Sequence, residues 1–196
     1  MNIEHFNHPL LTERFEQAFH YAMKLHSDQT RKGTEVPYIA HLLGVTSLVL
    51  EDGGDEDQAI AALLHDAVED QGGLIILEEI HLNFGENVAQ IVEGCSDSFT
   101  SVKPPWRLRK ESYLEHLMNA SKDIRRVSLA DKLYNARAIW STYRQIGEET
   151  WTRFKGGKEG TLWYFTALCE IFQQTGDDIM TEELVSVVAN IKQMSC

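Results

Sequence analysis

Ala59-Ile60-Ala61-Ala62-Leu63-Leu64-His65-Asp66-Ala67-Val68-Glu69-Asp70 opens on six apolar residues and closes with four ionisable side chains among six. Asp55 is placed to cap a helix running from Asp57 to about Asp70, which stops before Gly72-Gly73. A helix apolar on most sides is normally buried. His65 and Glu69 are four residues apart, as are Asp66 and Asp70. At ~100° per residue they form two adjacent rows on one face. Three carboxylates and an imidazole at the end of a buried helix repel one another and are costly to desolvate. A bound cation relieves both effects, so a metal site is one expectation. A helix end dipping into solvent is the other.

Outward from this helix the periodicity is helical almost throughout. Residues 12–29 read as a helix capped by Thr12, with Phe15, Phe19, Ala22 and Leu25 or His26 on one face. Thr30 to Pro37 is a charged loop broken by Gly33 and Pro37, and a helix follows from Tyr38 to Leu50. Further helices are expected over 75–84 with Gly85 at the C′ position, then on to Cys95, over 106–119 after Pro104-Pro105, and over 122–145. Gly147 and Gly156-Gly157 break the pattern before an aromatic-rich helix over 158–174 and an amphipathic one over 181–194. The sum is an all-α fold of roughly eight to ten helices. The 196 residues suit a single domain with its core over about 12–175.

The net charge is -12. Such a chain repels a phosphate backbone, so a nucleic-acid partner is not expected. A small polyanion remains possible where a metal and a local basic patch compensate. No apolar run approaches the ~18 residues of a spanning helix, so no membrane partner is expected. Met1-Asn2-Ile3-Glu4-His5 has no signal-peptide pattern. Cys95, Cys169 and Cys196 form no CxxC pair. They read as reduced thiols of a cytoplasmic protein, and their spacing excludes a zinc finger.

Two more positions bear on the metal. His41 lies near the start of a mostly apolar helix, where a satisfied core histidine is the plain alternative. Asp131 sits in Val127-Ser128-Leu129-Ala130-Asp131-Lys132-Leu133, mid-helix, where Asp has poor propensity and no cap to make. An ion pair with Lys132 is the alternative there. Together with His65 and Asp66 they supply two imidazoles and two carboxylates, a donor set closer to Mn²⁺ or Fe²⁺ than to structural zinc.

The order His … His-Asp … Asp resembles the HD phosphohydrolase superfamily. Arg31-Lys32-Gly33 before Pro37-Tyr38-Ile39-Ala40-His41 resembles an RKxxxxPYxxH segment. Leu63-Leu64-His65-Asp66-Ala67-Val68-Glu69-Asp70 resembles an LLHDxVED box, and Leu129 to Arg137 an LADKLYNxR box. These three boxes are similar to those of the HD-domain (p)ppGpp hydrolases, the RelA/SpoT hydrolase domain and its small Mesh1-like members. The resemblance implies an HD fold, one Mn²⁺ per chain, and removal of the 3′-pyrophosphate of (p)ppGpp to leave GDP or GTP. It implies His41, His65, Asp66 and Asp131 as metal ligands. Glu69 and Asp70 are implied as the acid/base pair, and Arg31, Lys32, Tyr38 and Asn135 as substrate contacts. Arg31 could stack its guanidinium on a purine.

Gly33 and Ala138 depart from the family pattern, where Ser and Thr are common, which leaves the exact nucleotide open. An adenine alarmone or NADPH, or a nucleotide-binding module without turnover, are the alternatives. Lys103, Arg107, Arg109 and Lys110 stand out in so acidic a chain. They are either a solvated helix start or, as the resemblance implies, contacts to the pyrophosphate. Arg125-Arg126 is expected on a solvated face, His5 and His8 on a mobile arm, and His26 as a loop-bracing residue. His81 and His116 are not assigned to a metal. The sequence leaves the oligomeric state open.

Overall fold

Helix α1 (Glu13–Leu25) begins at Thr12, whose hydroxyl accepts the Arg14 N–H at 3.2 Å. α2 is Ile39–Glu51, α3 Glu56–Leu64 and α4 Ala67–Gln71. α5 (Leu74–Phe84) and α6 (Glu86–Cys95) follow, then α7 (Trp106–Asn119) and the long α8 (Lys122–Ile146). A 3-10 segment over Gly147–Arg153 leads to α9 (Gly157–Thr175) and α10 (Ile179–Met194). This computed structural model describes residues 10–99, 103–176 and 179–195. Among them are no strands, only an isolated bridge between Thr30 and Pro37. His5, His8 and Cys196 lie outside the described residues.

α3 is buried on every side from Gln58 to Leu64, as its unbroken apolar run requires. It packs against α1, α2 and α6, while α8 packs against α2, α6, α10 and the 3-10 segment. Leu42, Ile60, Leu63, Leu64, Leu133, Leu168 and Leu184 form the fully buried centre. No described helix is long and apolar enough to cross a membrane.

The structure corrects four local expectations. The helix expected through Asp70 is interrupted: α3 stops at Leu64 and α4 starts at Ala67. His65 and Asp66 form the turn between them, and His65 Nδ1 hydrogen-bonds the Ala62 carbonyl at 2.8 Å. α1 ends at Leu25, not near 29, because His26 turns inward to stack on Tyr38. The break at Gly147 is a 3-10 helix. Arg126 is not on a solvated face: it donates to Asp52 and Gln58, each at 2.7 Å.

Candidate active site

α2 delivers His41, the α3–α4 turn delivers His65 and Asp66, and the middle of α8 delivers Asp131. All four converge. His41 Nε2 stands 3.4 Å from Asp66 Oδ2 and 3.2 Å from Asp131 Oδ1. His65 Nε2 stands 3.1 Å and 3.6 Å from the same two oxygens. Donor atoms of His41, His65 and Asp66 lie within 4.8 Å of one another, close enough to hold one metal ion. The Asp131 oxygens are also engaged by Lys132 Nζ at 2.5 Å and Asn135 Nδ2 at 2.5 Å. The ion pair read as an alternative to ligation therefore coexists with the approach to both imidazoles.

The fit to a cation rests on orphaned nitrogens. His65 Nδ1 is fixed as a donor by the Ala62 carbonyl, which turns Nε2 to the carboxylates. His65 Nε2 and both nitrogens of His41 are buried without a well-formed hydrogen bond. Buried nitrogen and oxygen lone pairs facing one another ask for a shared positive charge. Without a metal that charge is a proton. Burial works to lower the His65 pKa, but Asp66 and Asp131 prevail and hold it well above the ordinary imidazole value. Burial works to raise Asp131, yet Lys132 and the two imidazoles hold it well below the carboxylate range.

Beside the cluster lies a cavity of about 420 Å³. Arg31, Lys32, Lys103, Arg109, Lys110, Lys132, Arg153 and Lys155 line it, with Glu69 as the sole acidic lining residue among the described residues. Eight of the chain's eighteen Lys and Arg residues thus gather in one recess of a protein with net charge -12. Such focusing suits a polyanion. Lys132 and Asn135 line the cavity and also donate to Asp131, so they join the recess to the cluster.

Glu69 accepts the Asp97 N–H at 2.7 Å and faces Lys103 Nζ at 3.5 Å. Burial, then the carboxylates of Asp97 and Asp66, push its pKa up to about 7. Burial, then Asp66, likewise raises Asp70. Asp70 accepts from Gln29 Nε2 at 2.8 Å, and Gln29 in turn meets His26 Nδ1 at 2.7 Å. A carboxylic acid poised near neutrality at a cavity wall is suited to proton transfer.

Arg31 donates to Asn135 Oδ1 at 2.8 Å and lies over the rings of Tyr38 and Tyr134. Two expected substrate contacts are placed elsewhere. Tyr38 does not line the cavity; its hydroxyl donates to Asp66 Oδ2 at 2.5 Å. Arg107 does not line it either, because its guanidinium lies over Trp163 and pairs with Glu111 at 2.6 Å. His81 pairs with Glu86 at 2.8 Å. Sequence reading missed Asp97, whose buried carboxylate receives Arg109 and, at 2.7 Å, Lys110. It also missed Arg153 and Lys155, for which the only local signal was the neighbouring Gly156-Gly157.

Comparison with known proteins agrees with this architecture. The HD domain family matches residues 18–161. The guanosine-3′,5′-bis(diphosphate) 3′-pyrophosphohydrolase MESH1 of Xenopus tropicalis is 44% identical over 126 residues, covering 63% of this chain and 68% of that protein. The human MESH1 is 35% identical over 172 residues, covering 82% of this chain and 93% of the relative. A solved structure of a metazoan ortholog of SpoT, described as hydrolysing ppGpp and acting in starvation responses, superposes with a TM-score of 0.75. It is 26% identical and covers 94% of this chain and 98% of its own. A histidine–aspartate cluster carried on packed helices, a matching family profile and near full-length relatives place the chain in the HD-domain family, among the MESH1-like (p)ppGpp hydrolases.

Proposed function

We propose that the chain hydrolyses (p)ppGpp at its 3′-pyrophosphate, releasing pyrophosphate and GDP or GTP, with His41, His65, Asp66 and Asp131 holding one Mn²⁺. The observation that carries this reading is the juncture of an orphaned His/Asp cluster with a cavity lined by eight cations. Imidazole and carboxylate donors without a thiolate suit a first-row divalent ion such as Mn²⁺. When bound, the ion supplies Lewis acidity to a phosphoryl oxygen and lowers the pKa of water.

The residues of the chain do the rest. Water attacks the phosphorus attached to the 3′ oxygen, and the bond from that phosphorus to the 3′ oxygen breaks. Glu69, set near neutrality, takes the proton from the attacking water. Asp70 is assigned the proton for the departing 3′ oxygen because it adjoins Glu69 on α4, although it meets Gln29 outside the cavity lining. Lys103, Arg109 and Lys110 hold the pyrophosphate by charge-assisted hydrogen bonds. Arg31, steadied by Asn135, stacks on the base. Tyr38 supports the site from behind by fixing Asp66. A cytoplasmic setting is supported by Cys95 and Cys169, both free and buried.

Product analysis of the Mn²⁺-loaded protein with ppGpp, pppGpp, an adenine analogue and NADPH tests the proposal. Stoichiometric GDP and pyrophosphate from ppGpp is the expected result. Release of single phosphates, or turnover of NADPH alone, defeats it.

A further inference from the structure

The cations of the cavity fall into two groups. Lys103, Arg109, Lys110 and Lys132 each face a protein carboxylate: Glu69 for the first, Asp97 for the next two and Asp131 for the last. Arg31, Lys32, Arg153 and Lys155 have no carboxylate within ion-pair distance among the described residues, and Arg31 is held instead by the Asn135 side-chain carbonyl. Four uncompensated charges on the wall of one recess repel one another, and an anion between them removes that repulsion.

Arg153 is placed there by a specific fit. Gly33 has φ +73, and a Cβ on it would stand 3.0 Å from Arg153 Nε and 3.1 Å from its Cδ. The missing side chain at 33 lets the guanidinium lie against the loop that carries Arg31 and Lys32. Glycine is also the residue that takes this backbone conformation without strain. Thr150 and Tyr164 line the same cavity, and their hydroxyls are buried without a hydrogen-bond partner. Two orphaned donors beside these unpaired cations describe a place prepared for acceptor oxygens.

We propose that Arg153, seated on Gly33, forms with Lys155 a second anion subsite that takes the 5′-phosphate arm of the nucleotide while its 3′ arm faces the His/Asp cluster. The chain thereby selects nucleotides phosphorylated at both ends of the ribose. This rests on the 3′-pyrophosphohydrolase reading above. The guanidinium fork suits bidentate contact with phosphate, which a flexible ammonium does not reproduce.

The test compares kcat/KM for ppGpp and for guanosine carrying the same 3′-diphosphate but a 5′-hydroxyl. Wild type should prefer ppGpp by ~10²-fold, the order expected for two lost charge-assisted contacts. Arg153→Gln combined with Lys155→Gln should shrink that preference at least tenfold, mainly through KM. Gly33→Ala, which sets a Cβ against Arg153, should shift it in the same direction. Melting curves establish that each variant is folded. Calorimetric binding of GDP against guanosine gives a second readout without turnover, and the double variant should lose the wild-type preference for GDP. An unchanged preference in the double variant overturns the subsite. If wild type turns over both compounds equally, the function stands and the subsite falls. If it neither turns them over nor distinguishes GDP from guanosine, both fall.

Discussion

Replacing Glu69 by Gln should trade turnover for stability, and the exchange should depend on pH in a calculable way. The Glu69 pKa rises from 4.5 to about 7 on folding. A carboxyl raised in the folded state contributes stability that is complete below its unfolded value and is lost as pH rises through its folded value. Gln has the same shape, still accepts the Asp97 N–H, and carries no charge at any pH. Glu69 is 19% exposed, so solvent screens the effect only in part. Between pH 5.5 and 8.5 the two linked titrations give a gain of ~2 kcal/mol for the variant over wild type. In a chain of this length that is a relative rise in Tm of ~4–8 °C. The contact with Lys103 strengthens as Glu69 ionises and is therefore already contained in the folded pKa. The assay is thermal unfolding of both proteins at the two pH values in chelator. With Mn²⁺ restored, kcat for ppGpp should fall by ~10²–10⁴, the usual share of a general base. Parallel stability curves combined with near wild-type turnover would refute the assignment of Glu69 as the base.

His65→Ala and Asp131→Ala should each lose Mn²⁺ and lower Tm, since the remaining cluster becomes unbalanced buried charge; full metal occupancy in both variants would contradict the ligand set. Binding of Mn²⁺ near pH 7 should release protons, because His65 is held above its usual pKa without metal; calorimetry in buffers of different ionisation enthalpy measures this, and no buffer dependence would count against it. Arg109→Gln with Lys110→Gln should raise KM for ppGpp at least ~10-fold, whereas Arg107→Gln, bound up with Trp163 and Glu111, should change it by less than about twofold. Gly156→Ala should cost ~1–3 kcal/mol, because its Cβ would meet the Trp106 ring at 2.7 Å; an unaltered melting curve would mean that α7 and α9 are not in that contact.

The elements were legible where periodicity was strong: α7 and α8 fall within a residue of their expected ends. The interruption at His65-Asp66 was not, because nothing local forbids a helix there. The turn is closed locally by the bond to the Ala62 carbonyl, while the approach to Asp131 of α8 that accompanies it is a tertiary event. Likewise His41 and Asp131 had respectable local explanations, and only the packing of α2 and α8 brings them within reach of His65. Asp97 carried no signal at all, since a single Asp in a loop is ordinary until Arg109, Lys110 and Glu69 surround it. Arg153 became intelligible only once the 3-10 segment was seen to end against Gly33.

The 25 residues of α8 place Asp131, Lys132, Asn135 and Ala138 on one rigid rod, whereas the guanidinium of Arg153 and its seat at Gly33 belong to connecting segments. A residue inserted into the rod would rotate everything beyond it by ~100° and take apart the cluster and the cavity wall together. Insertions between α1 and α2, or between α8 and α9, would leave that rod in register. Natural variation therefore has a free channel and a closed one. Lineages can exchange the group that meets the far arm of the nucleotide, turn by turn, while the bond-breaking end stays bound to a helix that tolerates no change of length.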